Sequence, residues 1–197
     1  MAFPVFKGEP MLKDFNEWMN PGLLATAKEK IASAIEDALP SAPSELVLAL
    51  KKDHDDLRDL MKELKGDKPI AAKRATYRRF RQLLRSHSRA EEKAVYEPCL
   101  EFRDLRKETY EGYTEHDVAD MLMAKISSIR KAPKWEAAVE VLVEMMEHHL
   151  DEEERDLFPL IERRLPLPTK LQAEAQFLEM RQDSPASRQG VARQMIH

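Results

Sequence analysis

Cysteine is nearly absent: one residue, Cys99, in a chain of 197 cannot close a disulfide within the chain. No run of about 18 uncharged apolar residues is available to span a bilayer, and the opening stretch MAFPVFKGEP lacks the continuous apolar core of a secretory signal. These absences make the cytoplasm the expected compartment and exclude a membrane partner. Glycine is scarce too, with 5 residues, which leaves little material for the tight turns that join many short strands. Charge of one sign is also missing. A formal net of -4 is small for this length and gives no bulk attraction to nucleic acid or to an anionic lipid surface. What is present instead is 43% hydrophobic and 35% charged residues arranged in amphipathic runs, so the expected class is all-α, a helical bundle.

A chain of this size can bury roughly two-thirds of its unfolded surface as one compact domain with extensions. Residues 1–43 read as an N-terminal arm and an accessory helix whose apolar face is Leu24, Ala27, Ile31, Ile35 and Leu39. Residues 44–165 hold four longer helices. The first opens at Ser44, a good N-cap, closes at Gly66, and turns Val47, Leu50, His54, Leu57, Met61 and Leu64 inward. The second, 69–99, carries Tyr77, Phe80, Leu84, His87, Glu91 and Val95 on its stripe; the third, 107–130, carries Tyr113, His116, Ala119, Met123 and Ile126, with Gly112 as a weak point. The fourth follows Pro133 and runs to 164 with Ala138, Leu142, Met145, His149, Glu153, Leu157 and Leu160 inward, until Pro166 and Pro168 stop it. Residues 166–197 read as a short helix, 169–180, docking through Leu171 and Leu178, followed by a polar tail.

Polar residues thus sit inside apolar stripes, and they do so twice in the same register. His54 stands 33 residues before His87, and His116 stands 33 before His149. Four residues after each second histidine comes a glutamate, Glu91 in HSRAE and Glu153 in HLDEE. The flanks repeat as well, with Glu92 and Glu154 next, then Tyr96 and Phe158, then Pro98 and Pro159. Spacing of i, i+4 stacks histidine and glutamate on one helical face, where both reach a common point. Four imidazoles and two carboxylates are too many for one tetrahedral ion and suit two octahedral ions bridged by carboxylates.

Taken singly, a core histidine is more often hydrogen-bonded structure than a ligand. Six converging groups are different. An unpaired buried polar group costs about 2 to 7 kcal/mol, so six of them without a cation would rival the whole stability of a domain.

On HSRAEEKAVYEP and HHLDEEERDLFP, residues 44–165 resemble the hemerythrin-like family, the HHE cation-binding domain. The resemblance implies an up-down four-helix bundle around two non-haem iron ions, Fe2+ or Fe3+, with an oxo or hydroxo bridge, ahead of manganese or zinc. It implies His54, His87, Glu91, His116, His149 and Glu153 as ligands, the glutamates bridging. Ferritin-like bundles use Glu-x-x-His instead. Oxygen-carrying hemerythrins have a fifth histidine one turn from the third-helix ligand, where this chain has Gly112 and Asp120. Open coordination places therefore remain, unless Asp120 or Tyr113 enters them. Tyr113 is a candidate for hydrogen bonding a bound oxidant or for a redox role, with packing as the alternative. Asp120 either accepts from a ligand imidazole or is a solvated carboxylate. Met61, Met123 and Met145 read as core fillers that keep the site apolar.

Three functions remain open on these residues. One is a diiron module that binds O2, peroxide or nitric oxide for sensing, buffering or redox response. Another is an oxidase or peroxidase, and a third is iron storage or handling. The terminal segments are candidate surfaces for a homodimer or a protein partner. Helix two is rich in arginine, but no aromatic or loop pattern for base contact accompanies it. Its charges are expected to pair with acids such as Asp53, Asp55, Asp56 and Asp59, and nucleic acid is not an expected partner.

Overall fold

The computed structural model describes residues 42–182, and the expected N-terminal arm, accessory helix and polar tail fall outside them. Among the described residues all regular structure is helical. Helix α1 is Glu45–Lys65, α2 Ile70–Glu91, α3 Glu97–Cys99, α4 Arg106–Ser128, α5 Ala132–Glu152, α6 Phe158–Arg164 and α7 Leu167–Gln182. Two single π-helical turns, π1 at Glu92–Tyr96 and π2 at Glu153–Leu157, join α2 to α3 and α5 to α6. The segments α1, α2–π1–α3, α4 and α5–π2–α6 form the up-down four-helix bundle, with α1 packed on α2 and α5, and α4 on α5 and α2.

The helix ends follow from local chemistry. Ser44 caps α1 by accepting from the Val47 N–H at 3.4 Å, and Gly66 ends it. Each π turn is followed by a proline, Pro98 or Pro159, in the first turn of the resumed α-helix, where its missing N–H would have no partner. Inside each turn an N–H reaches back five residues, from Glu97 to the Glu92 carbonyl and from Phe158 to that of Glu153. One consequence matters for the site. Five residues after a glutamate, an α-helix has turned its side chain away, whereas a π turn brings it back over the start. Tyr96 and Phe158, five residues after Glu91 and Glu153, are both buried for this reason.

The core has two dry ends and a polar layer between them. One end is built from Leu57, Met61, Phe80, Leu84, Met123, Leu142 and their neighbours. The other gathers Leu50, Val95, Tyr96, Leu105, Phe158 and Phe177. Between these sets each long helix contributes its buried histidine. In the fourth helix the apolar face centres on Val139, Leu142, Val143, Met146 and Leu150, so Ala138, Met145 and Leu160 sit at its margin, half-buried.

Helix α7 docks on α1, α2 and π1, but not through the expected face. Leu171 and Leu178 are 56% and 39% exposed, while Ala173 and Phe177 are buried. Anchors along α7 set this rotation. Lys170 Nζ donates to Glu162 Oε2 at 2.8 Å, Arg181 clasps Asp53, and these two share one face with Ala173 and Phe177. Small Ala173 lets the helix approach closely, and Phe177 supplies the apolar burial on this face while the two ion pairs fix its rotation.

Candidate metal centre

The i, i+4 pairs place His87 with Glu91 and His149 with Glu153 on the inward faces of α2 and α5–π2, opposite His54 of α1 and His116 of α4. All six side chains are buried, and their donor atoms converge in two sets within 4.8 Å. The first set is His54, His87, Glu91 and Glu153; the second is Glu91, His116 and His149. Glu91 belongs to both. Its Oε2 lies 3.3 Å from His87 Nε2 and 3.7 Å from His116 Nε2. Glu153 Oε2 lies 3.3 Å from His54 Nε2 and 3.5 Å from His149 Nε2, so it too stands between histidines of the two sets.

Behind every imidazole stands a carboxylate. His54 Nδ1 donates to Glu154 at 2.9 Å, His87 Nδ1 to Asp53 at 3.2 Å, His116 Nδ1 to Glu92 at 2.9 Å and His149 Nδ1 to Glu115 at 2.7 Å. A carboxylate can only accept, so each Nδ1 carries a proton and each Nε2 faces the centre. This arrangement obeys the internal repeat. Asp53 and Glu115 each precede a histidine, Glu92 and Glu154 each follow a glutamate, and Glu92 and Glu154 cross between hairpins.

The donors fit a pair of cations. Among the described residues six buried side-chain polar atoms lack a hydrogen-bond partner, and five of them are His54 Nε2, His87 Nε2, both Glu91 oxygens and Glu153 Oε2. Each unsatisfied atom costs about 1–3 kcal/mol. Donors bound cis at about 2.1 Å to one ion stand about 3 Å apart, close to the 3.1–3.7 Å separations found here. Nitrogen and carboxylate donors in this mixture suit first-row transition metals.

Electrostatics tell the same story from the proton's side. Burial alone would lower the His87 pKa, but the Glu91 charge and the Asp53 hydrogen bond outweigh it and lift it to about 10. His149 is also raised, against its burial, by Glu153 and Glu115. Burial raises Glu153, yet His149 and His54 hold it below the ordinary range. Protons stand where cations would, and a cation must displace them.

For Tyr113 and Asp120 the structure gives the alternatives, packing and a solvated carboxylate. Tyr113 does not reach the donors; its hydroxyl donates to the Glu92 carbonyl at 3.2 Å and its ring packs on Tyr96. Tyr96 is the tyrosine of the layer. It stacks on His116 with centroids 5.5 Å apart, and its hydroxyl donates to Glu153 Oε1. Its repeat counterpart, Phe158, packs on His54 with no hydroxyl to offer, which leaves Glu91 uncapped. Gly112, far from being a weak point, makes room for Tyr96: a Cβ there would stand 2.7 Å from the phenol Cζ. Asp120 lies at the surface beside Arg85 at 3.3 Å, not behind an imidazole. His148, next to His149 in sequence, is exposed and pairs with Glu152 outside the layer. On α2, Arg85 pairs with Asp120, Arg81 with Ser127 and Arg79 with Glu63 of α1, and Arg74 stacks on Trp135; none of these four pairs with Asp53, Asp55, Asp56 or Asp59.

Residues 45–161 match the family model of the hemerythrin HHE cation-binding domain. The chain belongs to that family. No curated protein and no solved structure matches it. As an HHE domain it is a cation-binding helical bundle, and among the described residues the buried histidine and glutamate layer could hold the cation. No described helix is long and apolar enough to cross a membrane.

Proposed function

We propose that this HHE domain holds two non-haem iron ions, with His54, His87, His116 and His149 as terminal ligands and Glu91 and Glu153 as bridges. There it binds O2, peroxide or nitric oxide for sensing, buffering or redox response. The observation that carries the reading is the convergence on one layer of five buried donor atoms that have no hydrogen-bond partner. Iron at such a site supplies one-electron redox chemistry and coordination places that protein side chains do not fill.

The chain's own residues set the conditions. Apolar clusters on both sides keep bulk water out, so a small neutral molecule enters more readily than an ion. Tyr96 keeps its phenolic proton, because burial and the Glu153 and Glu91 charges push its pKa well above the usual value. It is therefore a fixed donor at Glu153 Oε1, beside the His116 ring. The four carboxylates fix the imidazole tautomers and make the ring nitrogens stronger donors.

Metal analysis of protein purified without added metal, with optical spectra before and after O2 and peroxide, tests the proposal. Two irons per chain and a spectrum that saturates with a stoichiometric amount of ligand support it. Zinc, or no metal, contradicts it. Sustained turnover of peroxide would favour the oxidase or peroxidase reading, and metal exchange within minutes the iron-handling one.

A further inference from the structure

Helix α7 lies beyond the residues of the family domain, yet it reaches the metal layer. Arg181 forks onto Asp53, with Nη2 donating to Oδ1 at 2.9 Å and Nε to Oδ2, while Nη1 donates to Ser86 Oγ at 2.7 Å. Asp53 Oδ2 also accepts from His87 Nδ1 at 3.2 Å, which turns His87 Nε2 toward the other donors. One turn earlier, Phe177 sets its ring edge-on to the same imidazole, with centroids 6.0 Å apart. Both the tilt of the ring and its tautomer are thus held from α7. The repeat supplies the contrast. Glu115 holds His149 as Asp53 holds His87, but among the described residues no lysine or arginine pairs with Glu115.

We propose that Arg181 is a positioning residue for the cation position built from His54, His87, Glu91 and Glu153, so that α7 governs how firmly that position holds its ion. The inference rests on the reading of these side chains as ligands. A buried carboxylate held by a planar fork has one orientation, and the imidazole it anchors keeps its lone pair aimed. Without the fork the carboxylate rotates and the ring follows. The neighbouring position, on His116 and His149, has no such tie to α7.

The test uses the full chain loaded anaerobically with Fe2+ and challenged with a strong ferrous chelator, release being followed optically. Arg181→Gln is expected to release one of two ions faster, by up to the roughly 10- to 100-fold in affinity that goes with losing the partner directly behind a metal-binding histidine, here Asp53, and the other at the wild-type rate. Arg181→Lys, which keeps the charge and loses the fork, falls between. Release of both ions at the wild-type rate, even with a lower Tm, overturns the proposal, and so does equal acceleration of both. His87→Ala is the separate control on the ligands. If it holds two ions as firmly as wild type, or if wild type takes up none, the ligand reading itself fails.

Discussion

His116 Nε2 and His149 Nε2 face each other across 3.1 Å in a buried layer, each ring donating its Nδ1–H to a carboxylate, Glu92 and Glu115. Two lone pairs at that distance repel unless a proton or a cation lies between them. In the metal-free chain a proton serves, and metal uptake must release it.

Cation binding is therefore tied to folding. A ligand at about 1,000 times its Kd stabilises the native state by about 4 kcal/mol, which for a chain of this size raises Tm by roughly 8–16 °C. Calorimetry on the loaded and the chelator-stripped protein checks this. Equal melting of the two forms would show that the layer is satisfied without metal.

Tyr96 and Gly112 make a matched pair. Gly112→Ala forces a methyl group against the phenol and should destabilise by about 1–3 kcal/mol, as overpacking does. Tyr96→Phe removes the donor from Glu153 Oε1 and should cost about 1–3 kcal/mol. The double variant should lose less than the sum, because the phenol oxygen is part of the clash. Denaturant melts of the three variants measure the coupling, and simple additivity would contradict the contact.

The carboxylates behind the imidazoles should matter and the surface acid should not. Glu115→Gln and Glu154→Gln are expected to weaken metal binding roughly 10- to 100-fold, whereas Asp120→Asn, paired only with Arg85, should bind as wild type. Competition against a chelator of known affinity decides it. An effect of Asp120→Asn as large as that of Glu115→Gln would contradict this assignment.

Glu162 sets an acid limit away from the metal. Its carboxylate accepts from the Ser44 N–H at 2.5 Å and from Lys170, joining the starts of α1 and α7 to α6. Burial would raise its pKa, but Lys170 and Ser44 hold it below the ordinary 4.5. A depressed carboxylate stabilises the fold above its unfolded pKa, and that part is lost as pH falls through the folded value. Glu162→Gln should therefore lower Tm at neutral pH, and the difference from wild type should shrink below pH 4.5. A constant difference from neutral to strongly acid pH would argue against it.

The inward histidines and glutamates were readable because their signal is local and doubled: i, i+4 pairs on amphipathic helices, in a register that repeats after 33 residues. Their carboxylate partners were not, since Glu154 reaches His54 only when the second hairpin folds against the first. Tyr96 was hidden by the π turn, which adds a residue per turn and brings inward a side chain that helical periodicity sends outward. The face of α7 was misread because leucines suggest a core, while the helix is rotated by Lys170, Phe177 and Arg181 against partners distant in sequence. The bundle itself followed from stripe and cap, as Ser44 and Gly66 show.

Metal content decides whether the layer is a two-ion centre. Wild-type protein and the adjacent variants His148→Ala and His149→Ala should be purified alike without added metal and analysed for iron, manganese and zinc. Two irons per chain are expected in wild type and in His148→Ala, whose target is exposed beside Glu152, with a clear loss in His149→Ala. Equal metal in both variants, or one ion or none in wild type, would contradict the assignment.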